Sequence, residues 1–285
     1  MPTHILVYRL IQWSAVAVFV GRGWQHIYWD APYRELFWDE AWLKWLVEGV
    51  FATTWRDYVT SPAVDRAIQG VITGTGSFYG LCALAAIFVQ RLGRFGRVLL
   101  WLGSANLVLL AALYCKEQFF FAGQFFEYAL QFSAPAFLAL LSRSDGLEPR
   151  PHLVLGMKLA IALTFSCHGL YALGFYPLPG SFMEMTINTL PVGESGARRF
   201  LAVAGTLDIL LSILIFMPGR VGRLALAYAV LWGLATTMAR FLAYFHWPYA
   251  DSWLLTWLHE LILRLPHFLI PLALLVRGGL LRGSR

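Results

Sequence analysis

The feature that most constrains this chain is a series of long apolar stretches separated by short charged breaks. A helix needs about 20 mostly apolar residues to cross the hydrocarbon core of a bilayer, so such stretches are typical of transmembrane helices. Because backbone polar groups must be satisfied internally in lipid, we predict an all-α fold, a polytopic helical bundle within the lipid bilayer. We expect about eight transmembrane helices, over residues 5–22, 67–89, 98–115, 124–141, 153–175, 200–217, 224–245 and 254–276.

The composition supports a lipid environment and argues against nucleic acid as a partner. Hydrophobic residues make up 59% of the 285 residues and charged residues only 13%, unlike a soluble globular domain. The net charge of +6 comes largely from basic residues in short loops beside apolar stretches, where they orient a membrane protein. We therefore expect no nucleic-acid binding.

These basic residues also predict the orientation in the membrane. In the eight-helix assignment they share one side, which the positive-inside rule makes cytoplasmic. Both termini are then cytoplasmic. The residues are Arg91, Arg94, Arg97, Arg143, Arg150, Arg220, Arg223, Arg277, Arg282 and Arg285.

The long outer connection between the first two predicted helices, residues 24–66, is rich in tryptophan and acidic residues. Trp38, Trp42 and Trp45 are spaced as on one face of a helix, so we predict a Trp-rich helix lying in the membrane interface. One alternative is an aromatic belt that anchors the protein without binding a ligand. Another is a docking surface for a second subunit.

Internal similarity predicts two related halves. The basic sequence at 89–97 resembles that at 216–223, and the sequence at 21–32 resembles that at 167–177. We therefore predict two four-helix repeats, residues 1–145 and 146–285. Since each has an even number of helices, the repeats are parallel and related by an axis along the membrane normal, and ligand sites in such proteins lie between repeats.

With these hairpins and Gly-containing first helices, the chain resembles the DoxX-like superfamily, twice over. Residues 33–60 depart from the compact pattern of that family. The resemblance implies four-helix membrane units, and it suggests a bacterial inner membrane. Some members are membrane subunits of thiosulfate:quinone oxidoreductases and others support methylamine dehydrogenase maturation. It therefore implies quinone as a cofactor and a soluble or membrane oxidoreductase subunit as a partner.

Ionisable residues within the predicted spans are the best candidates for chemistry, because each costs on the order of 3 kcal/mol to insert. They fall mostly in the outer half. One interpretation is a structural network in which Glu260 pairs with Arg264 and Asp208 pairs with Arg240. The other is a polar pocket for an anionic or oxygen-rich ligand.

In the second interpretation the ligand is a quinone or another small lipid-soluble molecule. Glu127 and Glu260 are candidate proton acceptors and His267 a relay, and these are the candidate catalytic residues. Candidate ligand-binding residues are Arg240, Arg264, Asp208, His168 and Lys116, with walls from Phe119, Phe120, Phe121, Phe125 and Phe126. Anchoring at the headgroup level is the alternative role for this phenylalanine cluster.

We predict no metal site. The three cysteines have no zinc or haem spacing, and His259 and His267 would lie about 12 Å apart on one helix. Whether the chain is an enzyme stays open, and a small-solute or ion transporter and a non-catalytic structural subunit are the competing functions. A weaker resemblance, to vitamin K-dependent carboxylase-like membrane proteins, has Lys116 as its candidate basic group.

Overall fold

The computed structural model describes residues 1–278, and within that range the chain is 82% helical and has no β-strand. The predicted all-α class is confirmed. The α-helices of this range are α1 (Thr3–Tyr28), α2 (Arg34–Phe37), α3 (Glu40–Gly49), α4 (Trp55–Thr60), α5 (Pro62–Ile87), α6 (Val89–Glu117), α7 (Ala122–Phe126), α8 (Ala129–Leu141), α9 (Pro151–Ala172), α10 (Gly180–Thr189), α11 (Glu194–Leu214), α12 (Gly219–Ala243), α13 (Ala250–Ile262) and α14 (Pro266–Arg277).

Six helical segments of the described chain are long and apolar enough to cross a membrane: α1, α5, α6, α9, α12, and Trp247–Arg277, which contains α13 and α14. They are consistent with a helical membrane bundle. Two of the eight predicted spans are not among them, because α8 has only 13 residues and α11 carries Arg198, Arg199 and Asp208. Arg282 and Arg285, which we assigned to the cytoplasmic side, lie outside the described residues.

α1 lies at the centre of the bundle and packs against α5, α8, α13 and α14. It buries Ile11, Ala15, Val18 and Phe19 almost completely. α9 packs against α11, and also against α8 and α14. The helices α1, α8, α9 and α14 thus form the interior of the bundle, and any polar side chain that they direct inward is shielded by the remaining helices.

Two helix pairs cross where a glycine of one helix meets a glycine of the other. A Cβ atom on Gly169 of α9 would lie 2.8 Å from the carbonyl oxygen of Gly205 on α11, and the converse distance is also 2.8 Å. Gly23 of α1 and Gly76 of α5 make a similar approach, at 3.0 to 3.2 Å. Small residues allow such close backbone contact between helices in lipid, where water does not drive association.

The helix predicted over 254–276 is broken. α13 ends at Ile262 and α14 begins at Pro266, where proline is tolerated because the first-turn N–H has no intrahelical partner. Glu260 and His267, which both fall within that predicted helix, therefore belong to different helices. The break turns the backbone between them and places Arg264 at the junction.

The Trp-rich outer helix is also shorter than predicted. Trp38 follows the end of α2, and α3 begins at Glu40 after the Asp39 N-cap, so Trp38 is not on the same helix as Trp42 and Trp45. The reason is local: the Asp39 carboxylate accepts a hydrogen bond from the backbone N–H of Trp42, which starts a new helix there. Trp42 and Trp45 are 54% and 69% exposed, as an interfacial pair would be.

Candidate functional site

A cavity of about 250 Å³ lies between α9, α10, α11, α12 and α14. Its walls are mainly apolar and aromatic, and include Phe165, Phe182, Met185, Phe200 and Trp232. Polar side chains line it as well: His168, Asp208, Arg240, Arg264 and His267. An apolar cavity with a few polar groups is the usual form of a small-molecule site.

The rim of this cavity contains exposed side chains of three helices: Thr189 of α10, Phe200 of α11, and Ala235 and Thr236 of α12. The cavity therefore opens on the surface of the bundle that α10, α11 and α12 form. α10, which we did not predict, packs against α11 and α12. Tyr244, just after α12, donates a hydrogen bond to the Glu184 carboxylate of α10 over 2.9 Å and so holds the two together.

Glu260 joins two of the arginines at the cavity. Its carboxylate forms an ion pair with Arg264 and lies 3.7 Å from the guanidinium of Arg240. The predicted Glu260–Arg264 pair is confirmed. The predicted Asp208–Arg240 pair is wrong, because Asp208 Oδ2 instead accepts a hydrogen bond from Trp232 Nε1 over 3.3 Å.

The two histidines of the cavity stack on each other, with ring centroids 5.7 Å apart. His267 Nδ1 lies 2.9 Å from the carbonyl oxygen of Arg264, and His168 Nε2 lies 3.9 Å from the Glu127 carboxylate. Glu127 also accepts a hydrogen bond from Gln124 over 2.8 Å. A chain of ionisable groups thus runs from the cavity, through His168, to Glu127 beside α7.

Arg22 of α1 belongs to the same interior region, and sequence reasoning missed it. It is 4% exposed, donates to the side-chain oxygens of Gln25 and Gln131 over 2.7 Å each, and lies over the ring of Tyr128 at 5.1 Å. Arg22 is the last residue of the first predicted span, 5–22. Its alignment with His168 in the internal repeat was the signal that could have identified it.

We use the term polar cluster for Arg22, Glu127, His168, Arg240, Glu260, Arg264 and His267. Its three arginines carry three positive charges, whereas its two glutamates carry at most two negative ones. Because guanidinium groups are charged at all physiological pH values, Arg240 and Arg264 present fixed positive donors to the cavity, which Asp208, outside the cluster, also lines. Such a cluster favours an anionic or oxygen-rich ligand.

Most of the predicted site residues are close together. Asp208, His168, Arg240, Arg264 and His267 line the cavity, and Glu127 and Glu260 contact residues that line it. The phenylalanine residues predicted to form the walls, between 119 and 126, do not line the cavity. Its aromatic lining residues come from α9 to α12, and Phe119 and Phe120 are 85% and 66% exposed.

Lys116 lies near the end of α6, away from the cavity. It holds the Trp-rich segment, residues 33–60, against α6. Its ammonium group lies 2.9 Å from the Asp39 carboxylate and 2.5 Å from the backbone oxygen of Glu35. The ammonium group holds the pKa of the Asp39 carboxyl below its usual range, so the pair persists at neutral pH. Lys116 does not line the cavity.

Replacing Lys116 with methionine should release this segment and leave the bundle folded. We expect faster limited proteolysis between residues 33 and 60, with a change in the free energy of unfolding of about 1 kcal/mol or less, as for other partly exposed ion pairs. Lys44→Met is the matched control, because Lys44 pairs with Glu40 within α3 and anchors nothing. Equal proteolysis of the two variants would contradict the anchoring role.

Among residues 1–278, no group of three or more His, Cys, Asp or Glu side chains is arranged to hold a metal ion, and Cys82, Cys115 and Cys167 are free thiols. In comparisons with protein-family models, curated proteins and solved structures, none matched this chain. The DoxX-like resemblance thus stays a prediction, and function is argued from the cavity and the polar cluster.

Proposed function

We propose that this protein binds a quinone, or a similar lipid-soluble ring compound, in the cavity between α9 and α14. One observation carries the proposal: an apolar cavity that opens on the side of the bundle has Arg240, Arg264, His168 and His267 among its lining. If α11 and α12 cross the membrane, the opening faces the acyl chains, and a lipid-soluble ligand enters without leaving the bilayer.

The dimensions and chemistry fit this ligand class. The cavity volume of about 250 Å³ lies just below the 300–1,000 Å³ range of typical ligand pockets, so it accommodates a head group and leaves a long tail in lipid. The carbonyl oxygens of a quinone accept hydrogen bonds from arginine or histidine. Its ring packs against aromatic walls such as Phe182 and Trp232.

We propose that the polar cluster exchanges protons with this ligand. His168 and His267 touch the cavity, and Glu127, 3.9 Å from His168, is the proton acceptor at the far end of the chain. Glu260 was also a candidate acceptor, but its carboxylate is engaged by Arg240 and Arg264 and, in the described chain, forms no ion pair with a cavity histidine. Glu127 is therefore the better placed of the two to gain and lose a proton.

Quinone chemistry also transfers two electrons, so it requires a redox-active partner. In keeping with the DoxX-like resemblance, we propose that this partner is an oxidoreductase subunit, that the protein resides in a bacterial inner membrane, and that both termini are cytoplasmic. The Trp-rich segment, on the opposite side from the basic hairpins in the predicted topology, is the surface available to an outer partner.

The paired helix contacts support the proposed two-repeat architecture of eight helices. The α1–α5 crossing through Gly23 and Gly76 has a counterpart in the α9–α11 crossing through Gly169 and Gly205. The contact of α6 with α8 has its counterpart in the contact of α12 with α14. The contact of α1 with α14 has its counterpart in the contact of α9 with α8. A two-fold relation between residues 1–145 and 146–285 accounts for all three correspondences.

The direct test of the proposed function is binding of a radiolabelled decyl-substituted benzoquinone to the protein in lipid nanodiscs. Ala235→Trp, which fills the rim of the cavity without altering charge, should weaken binding at least about tenfold, since the bulky side chain occupies the ligand's path. Arg240→Gln should weaken it by about 10- to 100-fold through loss of a charged donor.

Arg220→Gln is the matched control, because Arg220 is an exposed arginine at the start of the same helix, α12. Variants are compared only after thermal unfolding shows an intact fold. Saturable binding that both cavity variants retain would contradict the proposal. Absence of any binding by the wild-type protein would favour the transporter or structural-subunit hypotheses.

The proposed orientation predicts opposite labelling of two introduced cysteines in a Cys115→Ser background. An impermeant maleimide should modify a Trp45→Cys variant in intact spheroplasts, and a Phe95→Cys variant only after permeabilisation, because the positive-inside rule places the 89–97 hairpin in the cytoplasm. Both native positions are well exposed, at 69% and 64%. The reverse pattern would overturn the orientation.

A further inference from the structure

Asp208 is a polar residue of the cavity that takes part in no ion pair of the described chain and lies outside the polar cluster. Its side chain lines the cavity and is only 4% exposed. Oδ2 accepts the hydrogen bond from Trp232, but within the described chain Oδ1 is buried and has no hydrogen-bond partner. A buried carboxylate oxygen without a partner costs free energy, which a bound donor would recover.

The corresponding position of α5 holds a larger side chain than Asp208 of α11. Three residues after the crossing glycine Gly76, α5 carries Tyr79, which is fully buried and donates to Asn106 Oδ1 of α6 over 2.5 Å. Three residues after the crossing glycine Gly205, α11 carries Asp208, bonded to Trp232 of α12. The large phenol ring of Tyr79 fills the space beside its crossing. The small carboxyl of Asp208 leaves a cavity, and Oδ1 remains as an acceptor without a partner.

We infer that Asp208 Oδ1 accepts a hydrogen bond from a hydroxyl group of the ligand. The site then recognises a ring compound with a donor for Asp208 and an oxygen for Arg240 or Arg264. A quinol or other phenol satisfies both requirements, whereas a quinone offers acceptors only. This inference rests on the proposed ligand site and specifies that its preferred occupant is the hydroxylated form.

The nearest alternative partner for Asp208 is Tyr228, which lies close to the carboxyl on the same helix as Trp232. The Tyr228 hydroxyl is near enough to interact with the Asp208 carboxyl, but in the described chain no contact between them has the distance and angles of a full hydrogen bond, and Oδ1 is left without a partner. If Oδ1 is kept for the ligand, removal of the Tyr228 hydroxyl should leave ligand preference unchanged. Tyr228→Phe is therefore a control that separates recognition of the ligand from an internal hydrogen bond.

The test compares three ligands in nanodiscs: a decyl-substituted hydroquinone under anaerobic reducing conditions, its redox-inert dimethyl ether, and the matching quinone. Wild type should bind the hydroquinone about 10- to 100-fold more tightly than the ether, the effect of one buried hydrogen bond whose acceptor the ether leaves unpaired. In Asp208→Asn the single amide oxygen accepts from Trp232, so the NH₂ group faces the ligand, and the preference should shift towards the quinone and the ether.

The outcomes separate the two proposals. If none of the three ligands binds wild type, the proposed function fails. If all three bind wild type with equal affinity, the proposed function stands and the role of Asp208 is overturned. The wild-type comparison needs no variant, so it remains decisive even where Asp208→Asn does not fold. A change of preference in Tyr228→Phe equal to that in Asp208→Asn would also overturn the inference.

Discussion

Replacing Glu260 with glutamine is expected to lower the free energy of unfolding by up to about 3–5 kcal/mol, the effect of removing one partner from a buried ion pair, because the side chains of Glu260 and Arg264 are only 22% and 21% exposed. Glu260 is the carboxylate that contacts both Arg240 and Arg264. Its neutralisation leaves two guanidinium groups facing each other in the interior of the bundle, with Arg22 as a third nearby cation. Reversible unfolding in mixed detergent micelles measures the change.

Glu194→Gln is the matched control, because Glu194 forms an i, i+4 pair with Arg198 on the exposed start of α11. That change should stay within about 0.5 kcal/mol, as is usual for surface positions. A double variant, Glu260→Gln with Arg264→Gln, should lose less than the sum of the two single losses, because it removes both members of the pair. Additive losses would show that Glu260 does not neutralise Arg264.

The parts of the fold that follow from apolar length were predictable from the sequence. α1, α5, α6, α9 and α12 each hold a long apolar stretch, and the structure has a helix at each. α10 was missed because it is a 10-residue helix without a long apolar run. A break at Pro266 was predictable, because proline lacks the N–H of an intrahelical hydrogen bond, but the division of residues 254–276 into two separate helices was not.

The charged residues of the candidate site were predictable, because a charge within an apolar stretch costs free energy to bury and so stands out in the sequence. Glu127, Asp208, Arg240, Glu260 and Arg264 are conspicuous in apolar sequence, and all five lie at or beside the cavity. Their pairing was not predictable, because it depends on which helices are neighbours: α12 places Trp232, not Arg240, against Asp208. Arg22 was missed because a charge at the end of a span looks the same in sequence whether it faces solvent or the interior.

Gly233 provides the second large expected effect. A Cβ atom on this residue of α12 would lie 2.8 Å from the carbonyl carbon of His267 on α14, and closer still to its oxygen. Neither backbone can yield without separating the two helices. Gly233→Val should therefore cost about 1–3 kcal/mol of stability or more, as overpacking in a close-packed interior does.

The same substitution should disrupt the site, because the crossing at Gly233 sets the distance between α12, which carries Arg240, and α14, which carries His267. Thr237, one turn further along α12, also bonds the Arg264 carbonyl over 3.3 Å and would move with it. We expect at least a tenfold loss of benzoquinone binding in nanodiscs, measured on the folded fraction. Gly70→Val on α5 is the matched control, since no atom lies within 4 Å of its Cβ position. Wild-type stability and binding in Gly233→Val would mean that α12 and α14 do not cross at this glycine, and the geometry assigned to the cavity would fail with it.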